Sequence, residues 1–188
     1  MKTIYLCEKE QDLRRVFDTN DRIYCKADVL QAPEQFRETE YIFSTWGMPV
    51  FTEDEIKACL PNLKAMFYGA GSVQKFARPF LNCGVKVFSA WAANGVPVAE
   101  YTVAQIVLAN KGFFKAMRYT DRAKATEAFR RYPGNYGVKV GIIGAGMIGK
   151  MVIRKLQDYC LEVLVFDPFL PDAMARELGV QKVSLEEL

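Results

Sequence analysis

The chain has 188 residues, of which 51% are hydrophobic and 25% charged, and this composition excludes a disordered or fibrous protein. The net charge of +3 is too small to indicate nucleic acid as a partner, and five scattered cysteines without a C-x-x-C pair argue against a metal site. Cysteines in this pattern are typical of reduced thiols, so we expect a cytoplasmic location. We expect no membrane partner, because the longest apolar helix candidate, residues 98–110, is too short and contains Glu100 and Gln105.

Residues 1 to about 95 alternate short strand patterns with helical patterns, which predicts an α/β layer architecture. The strand patterns are Thr3–Leu6, Arg22–Lys26, Tyr41–Ser44, Ala65–Tyr68 and Val85–Phe88. The helical patterns are Glu8–Phe17, Thr52–Cys59, which opens with a Thr52-x-x-Glu55 capping box, and Ser72–Asn82. Five strands separated by helices predict a flavodoxin-like, doubly wound domain over residues 1–96.

A long helix is predicted to follow at residues 97–118, with Pro97 in its first turn, where a missing N–H costs nothing. The polar, basic segment 119–137 is interpreted as a connector that leads into the next domain. Seven basic residues between positions 111 and 131 are expected to form a solvated helix face rather than a phosphate-binding patch.

A dinucleotide-binding unit is predicted over residues 138–167. Its parts are the strand Lys139–Ile143, a G-x-G-x-x-G turn, the helix Met147–Tyr159 and a second strand, Glu162–Phe166, that ends in an acid. The turn permits a sharp reversal at its first glycine, close approach of a pyrophosphate at its second and close helix packing at its third. The expected cofactor contacts are Gly144, Ala145, Gly146, Met147, Ile148 and Gly149.

Asp167 indicates which dinucleotide binds. It stands at the carboxyl end of the second strand, where its carboxylate can accept hydrogen bonds from both hydroxyls of the adenosine ribose. A 2′-phosphate would be repelled there, and no Arg or Lys follows at positions 168–170, so the sequence predicts NAD rather than NADP. The alternative is a glycine-rich turn in another kind of α/β protein.

Residues 180–188 predict a strand and the start of a helix. Val180–Val183 has the pattern of a third strand, and Ser184-x-x-Glu187 is a capping box that indicates a helix. A nucleotide-binding domain of residues 119–188 would leave its core unfinished. We therefore expect a fragment of a longer protein, and the alternative is a natural truncation that needs a partner.

The order of these parts resembles the D-isomer-specific 2-hydroxyacid dehydrogenase family, which includes formate and phosphoglycerate dehydrogenases. The similar segments lie within residues 67–168: they are Phe67–Val73, Asn94–Thr102, the glycine motif and Val165–Pro168. The resemblance implies a flavodoxin-like substrate domain followed by the first part of a Rossmann NAD-binding domain. It also implies hydride transfer between NAD and a small 2-hydroxy or 2-keto acid.

By the same resemblance, Ala70 and Gly71 would present backbone N–H groups to the substrate carboxylate, and Asn94 would donate a hydrogen bond from the opposite wall. The segment 68–72 follows a strand and is predicted to open a helix, which independently suits an anion. Two alternatives stay open, namely a plain strand-to-helix turn at 68–72 and a simple turn residue at Asn94.

No catalytic residue is predicted within this chain. The arginine, the acid and the histidine that the family uses would lie beyond Leu188, and the chain contains no histidine at all. Arg130 and Arg131 precede the glycine motif and are not substitutes for them. The alternative to an enzyme is a non-catalytic, NAD-responsive binding or regulatory protein on the same scaffold.

The predicted long helix carries more apolar surface than its own domain is expected to bury. The residues concerned are Val98, Tyr101, Ile106, Val107, Phe113, Phe114 and Met117. In the resembled family this region forms a two-fold contact between subunits, so we expect a homodimer. The alternative is a helix buried between the two domains of one chain.

Overall fold

A computed structural model describes residues 2–188, and the chain divides into two compact units, one that ends at Asn94 and one that comprises Gly95–Leu188. Each unit contains a parallel sheet, and each has its own hydrophobic core. The predicted α/β fold class is confirmed. Within residues 2–188, no helix is both long enough and apolar enough to cross a membrane.

The first unit contains a five-stranded, fully parallel sheet in the order β2-β1-β3-β4-β5. The strands are β1 (Thr3–Leu6), β2 (Ile23–Tyr24), β3 (Tyr41–Ser44), β4 (Ala65–Tyr68) and β5 (Lys86–Ser89). This strand order is that of flavodoxin-like folds, in which ligands bind beyond the carboxyl ends of the strands. The predicted β1, β3 and β4 have the observed bounds, whereas β2 is shorter than predicted and β5 begins one residue later.

The helices of this unit are α1 (Glu10–Arg14), α2 (Lys26–Gln31), α3 (Glu53–Cys59) and α4 (Ala77–Asn82), with a short 3₁₀ turn at Pro33–Gln35. The capping box that predicted α3 is formed: the Thr52 hydroxyl accepts from the Glu55 N–H at 3.2 Å, and the Thr52 N–H donates to the Glu55 carboxylate at 2.8 Å. Helix α2 was not predicted. The Asp28 carboxylate accepts the N–H of Cys25 at 2.9 Å, which ends the strand pattern before Lys26 and begins a helix there.

The two faces of the first sheet bury different side chains. Ile4, Leu6, Ile42 and Met66 alternate along their strands and lie in the core. The opposite face carries an aromatic row across neighbouring strands, in which the Phe43, Phe67 and Phe88 rings stack at centroid distances of 5.0 and 5.2 Å. The sheet is thereby fixed in register up to the ends of β4 and β5, where the candidate site begins.

The long helix α5 comprises Trp91–Asn110, so the predicted bounds of 97–118 are wrong at both ends. Pro97 lies inside the helix, not in its first turn. Gly112, with a φ of +73°, ends the helical run, and a short helix α6 (Phe113–Ala116) follows. The predicted connector contains a further helix, α7 (Arg122–Arg130), whose first turn is capped by the Asp121 carboxylate through the Lys124 N–H at 2.8 Å.

The second unit contains three parallel strands in sequential order, β6 (Tyr136–Ile143), β7 (Cys160–Phe166) and β8 (Gln181–Lys182). Helix α8 (Met147–Leu156) follows β6, and α9 (Asp172–Glu177), which was not predicted, follows β7. The Ser184–Glu187 capping box forms both of its hydrogen bonds, at 2.9 and 3.3 Å, but residues 185–187 form a turn rather than a helix.

Small residues let α5 lie close to α8 within this unit. Gly95, Ala99 and Val103 are buried at successive helical turns of α5. A Cβ on Gly95 would collide with the Met147 side chain and come within 3.3 Å of that of Ile148. The absence of a Cβ at Gly95 therefore leaves room for the Met147 side chain in the first turn of α8.

Candidate functional site

The glycine turn between β6 and α8 begins with a backbone conformation that only glycine adopts readily. Gly144 has a φ of +91°, and its N–H donates to the Phe166 carbonyl at 2.9 Å, which extends the pairing of β6 with β7 by one residue. A side chain here would be strained even though no atom lies within 4 Å of an added Cβ. The predicted role of Gly144 in a sharp turn is confirmed as geometry.

No contact within the described residues requires a glycine at position 146. Its φ of −67° is ordinary, and nothing lies within 4 Å of the position that a Cβ would occupy. It is the N-cap of the ten-residue helix α8 and provides no side-chain cap, so the N–H groups of the first turn have no acceptor inside the helix. Exposed N–H groups at the positive end of a helix, with no Cβ above them, fit a pyrophosphate.

Gly149 permits the close contact between α8 and the turn. A Cβ at this position would collide with the carbonyl oxygen of Gly144 and lie 3.1 Å from its carbonyl carbon. Both are backbone atoms, which cannot rotate away. The predicted packing role of the third glycine is therefore also confirmed as geometry.

Asp167 follows β7 and holds the glycine turn. One of its carboxylate oxygens accepts the Ala145 N–H at 2.6 Å, and the other accepts the Phe169 N–H at 2.8 Å. These bonds, foremost the one from Ala145, lower the pKa of the Asp167 carboxyl from its ordinary value. The carboxylate stays ionised beside the turn, where each oxygen keeps a lone pair for a further donor such as a ribose hydroxyl.

Ala145 differs from the other residues predicted to contact the cofactor. Its side chain is buried in the second core, and its N–H is already bonded to Asp167. The donors left for a phosphate are therefore those of Met147, Ile148 and Gly149 in the first turn of α8.

The second group of predicted residues lies in the first unit, where the loop 69–72 follows β4. The hydroxyl of Ser89, at the end of the neighbouring β5, lies 3.0 Å from the Ala70 carbonyl and 2.5 Å from the Gly71 carbonyl and can donate to either. In trans peptides the N–H points opposite to the preceding carbonyl. Ser89 therefore turns the N–H groups of Gly71 and Ser72 away from β5, and neither has an acceptor within residues 2–188.

The sequence predicts that this loop opens a helix, but α4 begins only at Ala77. The expected attraction of anions to a helix N-terminus is therefore wrong for this loop. Its two free N–H groups remain.

Asn94 lies beside this loop. Its side-chain amide nitrogen would lie 3.2 Å from a Cβ on Gly71, so the glycine makes room for it. Asn94 is helical, and its N–H donates to the Ala90 carbonyl at 2.9 Å in the first turn of α5, so the alternative of a simple turn residue is wrong. Gly71 and Asn94 are thus brought together. Ala70 is fully buried, and the contact of its backbone N–H with the substrate stays a prediction.

Gly71 and Asn94 line a cavity of about 380 Å³ at the carboxyl ends of the strands. The whole lining consists of Trp46, Gly47, Met48, Tyr68, Gly71, Ser72, Lys75, Phe76 and Asn94. Sequence reasoning had not found Trp46, Lys75 or Ser89, because no local motif marks them. The cavity combines apolar walls with a few polar groups, as small-molecule sites do.

The cysteines are outside both groups of residues. All five are free thiols, and burial raises the pKa of Cys7 and Cys59, which keeps both protonated at neutral pH. No cluster of three or more potential metal ligands occurs in the part of the chain that the structure describes.

A parallel sheet with a glycine turn, a helix N-terminus and an acid at the end of the second strand defines a dinucleotide-binding α/β protein. Residues 103–188 match the family model of the D-isomer specific 2-hydroxyacid dehydrogenase, NAD binding domain. The second unit is therefore similar to the NAD-binding domain of the D-isomer-specific 2-hydroxyacid dehydrogenase family. The cofactor of this unit is NAD, as predicted.

Curated relatives are similar over about half of the chain. D-lactate dehydrogenase of Escherichia coli is 34% identical over 106 residues, which cover 56% of this chain and 32% of that protein. A 2-hydroxyacid dehydrogenase homolog of Haemophilus influenzae is 33% identical over 105 residues, which cover 56% of this chain and 31% of the homolog. The chain matches only about a third of the length of these relatives.

Solved structures share the fold over nearly the whole chain. The structure of D-2-hydroxyisocaproate dehydrogenase aligns with a TM-score of 0.70 at 16% identity and covers 100% of this chain and 58% of its own. NAD-dependent formate dehydrogenase from Staphylococcus aureus, solved in complex with NAD, aligns with a TM-score of 0.66 at 18% identity over 100% of this chain and 60% of its own. At such identities the likeness concerns the fold alone.

Proposed function

We propose that the protein transfers a hydride between NAD and the C2 atom of a 2-hydroxy or 2-keto acid. The open, Cβ-free surface above Gly146, at the N-terminus of α8 and in the same unit as the ionised Asp167, carries this proposal. Bound NAD supplies the hydride acceptor or donor. The residues of this chain supply its binding and that of the substrate carboxylate.

In this proposal the first turn of α8, with the N–H groups of Met147, Ile148 and Gly149, holds the pyrophosphate. Asp167 accepts hydrogen bonds from the adenosine ribose and repels a 2′-phosphate, which selects NAD over NADP. The N–H groups of Gly71 and Ser72 donate hydrogen bonds to the substrate carboxylate, and the Asn94 amide donates to it from the side.

The proton that accompanies the hydride needs a group outside these 188 residues. The chain has no histidine, and no carboxylate lines the cavity. Its titratable lining side chains are Tyr68, whose pKa is raised by burial, and Lys75, and in this proposal neither transfers the proton. We therefore expect that the 188-residue chain binds NADH but does not oxidise it with glyoxylate, pyruvate or hydroxypyruvate. A longer protein that supplies this group should turn over at least one 2-keto acid.

Two measurements test the proposal. NADH and NADPH titrations of the chain, followed by the fluorescence of the reduced nicotinamide, should show binding of NADH and much weaker binding of NADPH. NADH oxidation, followed by absorbance, should then occur only in the longer protein. Equal affinity for the two cofactors would contradict the role of Asp167, and turnover by the chain alone would contradict the need for an outside proton donor.

The absence of histidine also supports a second candidate, an NAD-responsive binding or regulatory protein. Such a protein would bind NADH with the same residues but would carry no proton-transfer group at all. Specific NADH binding without turnover of any 2-keto acid by the longer protein would favour this candidate.

We further propose a homodimer in the cytoplasm, the location being that expected for five free thiols. Five of the seven apolar residues noted on the long helix and its continuation are exposed: Val98, Tyr101, Phe113, Phe114 and Met117. Ile106 and Val107, by contrast, pack against the core of the second unit. The exposed set supports a self-complementary contact with a second copy, which light scattering at tens of micromolar can detect.

A further inference from the structure

The cavity of the first unit is larger than a site for one carboxylate requires. Its volume of about 380 Å³ exceeds what a three-carbon keto acid fills, and its apolar walls are formed by Trp46, Met48, Tyr68 and Phe76. The free N–H groups of Gly71 and the neighbouring Ser72 account for one anionic group of a ligand. The remaining lining contains one charged side chain.

That side chain is Lys75. No carboxylate lines the cavity with it, and it has no hydrogen bond or ion pair within residues 2–188. Three other lysines of the same unit are paired: Lys26 with Glu55 at 2.7 Å, Lys57 with Glu53 at 3.5 Å and Lys64 with Glu40 at 2.9 Å. An unpaired ammonium beside apolar walls gives the cavity a net positive charge.

We propose that Lys75 selects 2-hydroxy and 2-keto acids that carry a second anionic group at the end opposite the C1 carboxylate. The inference rests on the proposed function for the position of C1 on the N–H groups of Gly71 and Ser72. Lys75 lies three residues beyond Ser72, and its flexible four-carbon stem carries a compact charge that can meet a carboxylate or a phosphate. The apolar walls contact the carbon chain between the two anionic groups.

Trp46 provides a direct reporter of occupancy. The chain has two tryptophans, and the second, Trp91, is not in the lining. The variant Trp91→Phe therefore leaves Trp46 as the single fluorescent indole. Titration of this variant with 2-oxoglutarate and with 2-oxopentanoate compares two acids of the same chain length, of which only the first has a second carboxylate.

We expect 2-oxoglutarate to bind up to about fivefold more tightly than 2-oxopentanoate, since an exposed ion pair contributes at most about 1 kcal/mol. Lys75→Met keeps the apolar stem and removes the charge. It should weaken the binding of 2-oxoglutarate only and so bring the ratio of the two affinities to about one, whereas Lys75→Arg should keep the preference. Lys86→Met is the matched control, because Lys86 is an exposed lysine of the same unit outside the lining. 3-Phosphohydroxypyruvate against hydroxypyruvate shows whether a phosphate satisfies Lys75 better than a carboxylate.

Equal binding of 2-oxoglutarate and 2-oxopentanoate, with no preference for the phosphorylated acid either, would overturn the inference. So would a Lys75→Met variant that weakens both acids of a pair equally. Turnover assays keep this result separate from the proposed function. If the longer protein reduces 2-keto acids with NADH but ignores the second charge, the proposed function stands and the role of Lys75 fails. If the preference is present in binding but no 2-keto acid is reduced, the proposed function fails and the dianion site remains.

Discussion

Two glycines of the turn between β6 and α8 should separate stability from cofactor binding. In Gly149→Ala the new Cβ collides with the backbone carbonyl of Gly144, whereas in Gly146→Ala it points into empty space. The first change should therefore destabilise the second unit, and the second should leave its stability nearly unchanged. Only the second places an atom where the proposed pyrophosphate lies.

The expected cost of Gly149→Ala follows from two opposing terms. Overpacking against rigid backbone costs about 3 kcal/mol, and replacing a helical glycine by alanine returns about 1 kcal/mol, which leaves about 2 kcal/mol of destabilisation. For a unit of this size, Gly95–Leu188, each kcal/mol lowers the midpoint of unfolding by roughly 4–8 °C. We expect a drop of roughly 8–16 °C for this unit in thermal unfolding followed by circular dichroism.

Gly146→Ala is the matched control in the same turn. Its φ of −67° suits alanine. Loss of a favoured N-cap glycine lowers the free energy of unfolding by up to about 1 kcal/mol. A less flexible unfolded chain raises it by up to about 1 kcal/mol, so the two effects oppose each other. Its unfolding midpoint should stay within a few degrees of the parent, while its NADH affinity, measured by nicotinamide fluorescence, should fall at least about tenfold. A Gly149→Ala variant as stable as the parent, or a Gly146→Ala variant with unchanged NADH affinity, would refute the geometry described for this turn.

Three further sets of substitutions test the remaining contacts. Asp167→Asn should weaken NADH binding more than NADPH binding. Hydrogen bonds lower the pKa of the Asp167 carboxyl, so its stabilising effect is present above the ordinary pKa of 3.8 and is lost as the pH falls through the lowered pKa. The free energy of unfolding of the variant should therefore depend less steeply on pH in acid. Ser89→Ala should raise KM for the 2-keto acid and leave NADH affinity unchanged, and Ser89→Thr should restore KM, as steady-state kinetics of the longer protein can show. Phe113→Glu or Met117→Glu should convert the proposed dimer to a monomer in light scattering, and a dimer of undiminished strength would contradict that interface.

Local chemistry explains which elements the sequence predicts correctly. The strands β1, β3 and β4 are short runs of β-branched and aromatic residues with clear ends, and α3 begins at a capping box whose two bonds are formed. The glycine unit is equally local, since strand, turn, helix and acid follow one another within thirty residues. In such segments the pattern and the tertiary fold favour the same structure.

The errors arise where distant contacts decide the structure. Asn94-Gly95 has the sequence of a turn, but both residues lie within α5, where the absence of a Cβ on Gly95 leaves room for the Met147 side chain. The predicted start of α4 at Ser72 is wrong, since α4 begins at Ala77 and the Ser89 hydroxyl of the neighbouring strand contacts the carbonyls of the loop before it. Helix α7 buries only Ala128, so it lacks the apolar period that would have revealed it, although its Asp121 cap was a readable signal. No sequence motif marks Lys75 as part of the cavity, because the fold alone brings it beside Trp46 and Tyr68.

In both candidate loops a side chain from the neighbouring strand forms a hydrogen bond with the loop backbone: it is a donor in one loop and an acceptor in the other. After β4, a donor from the neighbouring strand, the Ser89 hydroxyl, can bond to the carbonyl of Ala70 or of Gly71, and the N–H groups of Gly71 and Ser72 are free. After β6, an acceptor at the end of the neighbouring strand, the Asp167 carboxylate, engages the N–H of Ala145 and leaves those of the first turn of α8 free. In each loop one side chain orders the backbone before an anion arrives, so binding does not have to supply that ordering. Parallel strands make this possible, because their carboxyl ends lie side by side. A residue at the end of one strand can therefore reach the loop that follows the adjacent strand.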